Sequence, residues 1–182
     1  MSGRIAAMDA VADDPLTIFV GAASGGVWRS KDAGVTFRPV FDDHNQCIGA
    51  VTIDQARPDT VWVGTGENNS QRSVAFGDGV YKSLDGGKNW EEVTPPGLPE
   101  FAAIYEIEIS PHDPATVYLT ITRYRKADDY SPYLFKTSDF GKTWKRIDTS
   151  FPQDEITRTI REDTVRKGML FVGTETGVFV SI

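Results

Sequence analysis

The sequence of 182 residues predicts an all-β fold: a partial β-propeller of four-stranded antiparallel sheets, three complete and a fourth with three strands. Three observations predict it. A motif of the form Ser/Thr-x-Asp-x-Gly-x-x-Trp/Phe occurs as "SKDAGVTF" (30–37), "SLDGGKNW" (83–90) and "TSDFGKTW" (137–144). Its aspartates, Asp32, Asp85 and Asp139, stand 53 and 54 residues apart, a spacing that marks a repeat architecture. The stretches between are short, β-branched or aromatic, and bounded by turn residues.

Taken in order, each repeat begins with an inner strand: "GRIAAMDAV" (3–11), "IGAVTID" (48–54), "IYEIEIS" (104–110) and "ITRTIRE" (156–162). A hairpin partner follows: "LTIFVGAA" (16–23), "TVWVGTG" (60–66), "TVYLTIT" (116–122) and "MLFVGTE" (169–175). The third strands, "GVWRS", "GVYKS" and "YLFKT", run into the Asp motif, and the fourth, "FRPVF", "WEEV" and "WKRI", leave it. Short links make neighbours antiparallel. Val61, Trp62 and Val63 leave no polar face, so their strand must be covered on both sides. Radially stacked sheets meet that demand. A flat sandwich leaves the regular four-strand spacing without a reason. The expected blades cover about 3–42, 48–94, 104–149 and 156–182, in one domain spanning 1–182.

The motif itself reads as turn chemistry. An Asp at the end of a strand can accept hydrogen bonds from amides ahead of it. Gly34, Gly87 and Gly141 supply the positive φ that such a hairpin needs. Phe37, Trp90 and Trp144 open the outer strands and are placed to pack between blades. Ser30, Ser83 and Thr137 open the motif. A catalytic acid has no reason to recur in every repeat.

The totals narrow the function. Nineteen basic residues against 26 acidic give a net charge of −7, which argues against a broad nucleic-acid surface. No stretch approaches a membrane span, and the start, "MSGRIAAMDAVADD", has no apolar signal core, so the chain as written is expected in the cytosol. The single Cys47 cannot form an internal disulfide.

The three motifs resemble the Asp-box, or BNR repeat, of sialidases, xyloglucanase-type glycoside hydrolases and the sortilin luminal domain. The stretches "VWVGTGENNSQRSVAFGDGVYKSLDGGKNW" and "LFVGTETGVFVS" are similar to bacterial proteins described as glycosyl hydrolase, BNR repeat, or sortilin-like. The resemblance implies a propeller, with Asp-boxes on the face away from the active sites, and relatives that are often exported. It also implies a longer protein: after "GVFVSI" the pattern calls for another Asp-x-Gly turn, so the chain looks like a fragment. Uncovered end blades would favour self-association, two copies forming an arc or ring of about eight blades.

Candidate chemistry lies in two long loops joining second to third strands, opposite the Asp turns. The loop 67–78, "ENNSQRSVAFGD", offers Glu67, Asn68, Arg72 and Asp78; the loop 123–132, "RYRKADDYSP", offers Arg123, Tyr124, Asp128, Asp129 and Tyr130. Carboxylates, Arg and Tyr together suit a glycan or a polypeptide ligand. Glu67, Asp78, Asp128 and Asp129 are the acids available for glycoside hydrolysis, which needs two carboxylates at a set separation. Neither catalytic Asp of the xyloglucanase-type enzymes matches a position, so no catalytic residue is assigned. The expectation is a non-catalytic binding or scaffold module; the alternative is part of a sialidase- or xyloglucanase-like glycoside hydrolase. No cofactor or metal is expected: His44 and Cys47 are two ligands where zinc needs three or four, and "LDGG" lacks the alternating acids of a calcium loop. Arg158 and Arg161, on a strand of alternating charge, can add cationic groups.

Overall fold

The computed structural model describes residues 4–67, 75–124 and 128–181, which form four antiparallel sheets in chain order. The first holds β1 (Ile5–Val11), β2 (Asp14–Ala22), β3 (Gly26–Ser30) and β4 (Arg38–Pro39). The second holds β5 (Ile48–Ile53), β6 (Val61–Thr65), β7 (Val80–Ser83) and β8 (Glu91–Glu92). The third holds β9 (Ala103–Ile109), β10 (Val117–Thr122), β11 (Leu134–Thr137) and β12 (Lys145–Arg146). The fourth holds β13 (Thr157–Glu162), β14 (Leu170–Thr174) and β15 (Val178–Ser181). Every expected strand is present. The outer strands are shorter than expected, two ladder residues each, extended by one amide that returns to the third strand: Val40 to Val27, Val93 to Val80 and Ile147 to Leu134, at 2.8–2.9 Å.

The apolar core lies between the sheets. One cluster, around Phe19, Phe41, Ile48 and Val61, joins the first two sheets. A second, around Trp62, Ile104, Leu119 and Phe135, joins the second and third; a third, around Tyr118, Ile160 and Leu170, joins the third and fourth. β6 is buried along its whole length, as a strand apolar on both faces must be. The sheets approach closely near the axis, where a Cβ on Gly21 would stand 2.5 Å from Ile48. There the inner strands also bond across sheets. The Asp9 carboxylate accepts from the Ile53 amide at 2.8 Å, and Glu106 accepts from the Ile160 amide at 2.8 Å.

Each motif builds the same turn. Asp32 accepts from the Thr36 amide at 2.8 Å, Asp85 from the Asn89 amide at 2.9 Å and Asp139 from the Thr143 amide at 2.8 Å. The hydroxyls of Ser30, Ser83 and Thr137 donate to the same aspartates at 2.7–2.8 Å and accept from the amides of Gly34, Gly87 and Gly141. Those glycines have φ of 86°, 85° and 86°. The aromatic then reaches across to the sheet before it. The Trp90 indole donates to the Val40 carbonyl at 2.6 Å and the Trp144 indole to the Val93 carbonyl at 2.7 Å. Phe37, in the first sheet, lies half-buried beside its own Gly34. Side-chain and backbone hydrogen bonds from Thr143, then from Thr137, hold the Asp139 carboxyl down at about 2. Hydrogen bonds from Asn89 hold Asp85, and from Thr36 hold Asp32, below the ordinary carboxylate range.

Three outcomes follow from this geometry. Trp144→Ala loses a cross-sheet ring and its hydrogen bond, and should cost about 3 kcal/mol in denaturant unfolding. Gly168 and Gly141 have φ of 84° and 86°, but only at Gly141 would a Cβ meet neighbours, Trp62 at 3.0 Å and Val93 at 3.1 Å. Gly168→Ala should therefore cost about 1 kcal/mol from left-handed strain, and Gly141→Ala roughly 1 kcal/mol more. The depressed aspartates contribute stability that is complete above the unfolded value of about 3.9 and disappears as pH falls through the folded value. Thermal midpoints should hold down to pH near 4 and fall between there and about 2, where Asp139 protonates.

Candidate functional site

The first strand of every sheet carries a register shift at its start, at Ile5/Ala7, Ile48/Ala50, Ile104/Glu106 and Thr157/Thr159. The residues left out of register are Ala6, Gly49, Tyr105 and Arg158, one equivalent position per sheet. A bulge re-aims the side chain it carries. In the first two sheets that side chain is a methyl or nothing; in the last two it is a phenol and a guanidinium.

These two large groups meet at the loop end. The Arg158 guanidinium lies 4.9 Å from the ring centre of Tyr105 and 4.9 Å from that of Tyr124. It also pairs with Glu175, in the turn between β14 and β15. Tyr130 stands 6.2 Å from Tyr124, ring to ring, and is 46% exposed. A second aromatic pair occupies the same end at the junction of the second and third sheets. Phe76 and Phe101 meet edge to face at 5.0 Å, and both are exposed. The loop face thus presents aromatic surface flanked by a cation and carboxylates, a set able to stack on a flat apolar ligand face and hydrogen-bond its rim.

The acids expected to carry chemistry are engaged by other groups of the fold. Glu67 is buried and paired with Arg4. Asp78 accepts from the Thr65 hydroxyl at 3.0 Å and sits beside Tyr81, whose phenol is pushed up by burial and by that carboxylate. Asp129 accepts from the Tyr133 hydroxyl at 2.6 Å and the Ser131 amide at 3.0 Å, and pairs with Arg123 at 3.3 Å. Burial raises the Asp129 carboxyl, but the hydrogen bonds from Tyr133 and Ser131 outweigh it and leave it below the ordinary range. Asp128 takes a positive φ of 52° and hydrogen-bonds the Tyr130 hydroxyl, raising that phenol. A general acid needs its carboxyl raised, the opposite of the shift at Asp129. Asn68 and Arg72 lie outside the described residues.

Raised carboxyls occur elsewhere, on the inner strands. Burial pushes Asp9 and Glu108 up, the latter against the pull of Arg161. They line a cavity of about 420 Å³ along the axis, with Thr52 and Glu106. Arg161 of "TRTIRED" pairs with Glu106 and Glu108 on the inner strand of the neighbouring sheet, whereas Arg158 of the same stretch turns to the loop end. No group of three or more His, Cys, Asp or Glu side chains able to hold a metal converges among the described residues. His44 stacks on Phe41 at 4.6 Å and on Tyr81 at 4.9 Å. Phe76, Phe101 and Tyr105 carried no signal in the sequence beyond their residue type. Tyr105 sits in an ordinary strand pattern, and only the bulge sets it apart.

The family model of Sortilin-Vps10 (sortilin, neurotensin receptor 3) matches residues 25–175. Over 161 residues the chain is 26% identical to a probable oligoxyloglucan-reducing end-specific xyloglucanase of Neosartorya fischeri, covering 84% of this chain and 18% of that protein. Over 181 residues it is 29% identical to a xyloglucanase of Hypocrea jecorina, covering 81% and 20%. The chain thus spans about a fifth of the length of these relatives. Among solved structures, a GH74 enzyme of Niastella koreensis superposes with a TM-score of 0.72 at 18% identity, over 91% of this chain and 24% of that one. The fold is the propeller arrangement that the repeats predicted.

The second-to-third-strand loop of the third sheet depends on Asp129. Asp129→Ala leaves the nearly buried Tyr133 hydroxyl without its acceptor. It should cost about 1–3 kcal/mol in denaturant unfolding, whereas Tyr133→Phe, which removes the donor as well as the need for it, should cost about 1 kcal/mol.

Proposed function

The chain belongs to the Sortilin-Vps10 family, and on that premise we propose that it is a glycan-binding module whose loop face takes a β-glucan chain of the xyloglucan class. The observation that carries this reading is the Tyr105–Arg158–Tyr124 stack with Tyr130 exposed beside it. Sugar rings have an apolar face and a hydroxyl rim. Half-exposed phenols offer area to the face, and Arg158, Glu175 and Arg123 offer polar groups to the rim. Because Arg158 is already stacked and ion-paired, the platform is ordered before a ligand arrives, which lowers the cost of binding. The similarity to two xyloglucanases supports the choice of glycan over polypeptide.

It also supports a second reading, in which these sheets are part of a glycoside hydrolase. The low carboxyl of Asp129 argues against its serving as the general acid, which needs a raised one.

Calorimetric titration with xyloglucan oligosaccharides separates the two. The module reading expects saturable binding without release of new reducing ends, and Tyr130→Ala should raise Kd by about tenfold with the thermal midpoint unchanged. Absence of binding to any glucan would sink the glycan assignment. Release of reducing ends would establish the hydrolase.

A further inference from the structure

The chain entering β9 carries, four residues before Tyr105, an aromatic whose placement packing does not explain. Phe101 stands in the turn before the strand with a φ of 62°. Left-handed backbone is unfavourable for a bulky residue, and it persists only where the surroundings hold it. Here they do. Leu98 packs on the core between the second and third sheets, Ala102 is buried in that core, and the Ala102 carbonyl accepts from the Gly77 amide at 3.0 Å. The strain does not serve burial, because Phe101 remains 42% exposed. A strained backbone that keeps an aromatic in the open is a feature of contact surfaces.

The ring is also paired. Phe76, 46% exposed, meets it at 5.0 Å with the ring planes at 82°. The bond from Gly77 to Ala102 ties together the two segments that carry the rings, so the pair is fixed from both sides. An edge-to-face pair leaves ring faces that neither partner covers, and Glu100, exposed next to Phe101, supplies acceptors. Four-stranded sheets stand on both sides of this junction, so the exposure of the pair is a property of the junction itself. Chain geometry sets its place relative to the tyrosines. Four extended residues span at most about 14 Å, so Phe101 lies within that distance of Tyr105 along the backbone. Tyr105 in turn flanks the Arg158 stack. Two aromatic stations therefore occupy one end of the molecule at consecutive junctions.

We propose that Phe76 and Phe101 form a second station for the same glycan, so that the loop face takes a long glucan chain lying across two junctions in preference to a short oligosaccharide. The proposal rests on the glycan reading of the tyrosine site. The apolar face of a β-linked glucan recurs along its length, so one chain can meet phenols at one junction and phenyl rings at the next. Once the tyrosines hold the chain, contact with the phenylalanines is intramolecular, and affinity rises with ligand length without any change at the first station. Phe101 is thus a residue that selects for length.

The probes are xyloglucan fragments of one and of two repeating units, titrated calorimetrically into the full chain. The longer fragment should bind at least about tenfold more tightly in a one-to-one complex, more than the doubled number of binding frames supplies. Phe101→Ala should abolish that gain and leave the Kd of the shorter fragment unchanged, whereas Tyr130→Ala should weaken both. Phe101→Gly removes the ring but suits the left-handed backbone, and should act like Phe101→Ala with the thermal midpoint nearly unchanged. Phe76→Ala tests the pair from its other side. Equal affinity for the two lengths, or a gain that survives in all three phenylalanine variants, overturns the second station, while a Tyr130→Ala effect in the same titrations keeps the glycan reading standing. Phenylalanine variants that weaken both lengths equally also overturn it, since the pair would then belong to the first station. No binding of either fragment sinks the glycan reading and this proposal with it.

Discussion

An indole N–H given to a carbonyl of the neighbouring sheet is the contact on which the rest of the architecture depends. Trp90 and Trp144 each end a turn braced by a carboxylate, and each reaches back to the sheet before it. The brace and the reach are coupled. Unless Asp85 and Asp139 gather the turn amides, the aromatic does not leave its turn at the height where the outer-strand carbonyl waits. A turn that would be local in an isolated hairpin becomes, through one ring, the fastening between sheets.

The second constraint comes from strands that cannot face water on either side. β6 buries every residue, and the core accordingly lies between sheets. Stacking is then required for each sheet to fold, and the stability of a sheet depends on its neighbours as in other repeat proteins. The polar inner strands complement this. Asp9 and Glu106 bond amides of the next inner strand, so the axis is held by hydrogen bonds while the periphery is held by aromatic area. Near the axis there is little room, and Gly21 stands where a larger residue would strike Ile48.

The same frame sets the two ends of the sheets apart. The Asp-box end is taken up by packing: its Ser, Thr and Asp side chains and Gly amides bond within the turns, and Trp90 and Trp144 bond the sheet before. At the opposite end, bulges at equivalent positions carry nothing bulky in two sheets and Tyr105 and Arg158 in the others. Equivalent backbone thus carries unequal side chains from one repeat to the next. The acids there hold the loops: Asp129 gathers Tyr133, Ser131 and Arg123, and Glu67 holds Arg4.

Strand identity, order and the turn chemistry of the motifs were legible from residues alone, because each depends on local signals: a two-residue alternation or its absence, a glycine at positive φ, a carboxylate two to four residues from the groups it binds. The period carried the repeat. The place of Arg158 was not legible. Its neighbours Tyr105 and Tyr124 lie 53 and 34 residues away in sequence, and they meet it only because two bulges and a loop converge once the sheets are stacked. The fate of the acids was hidden for the same reason: Glu67 finds Arg4 across two sheets, a pairing set by the angle between sheets and written in neither segment.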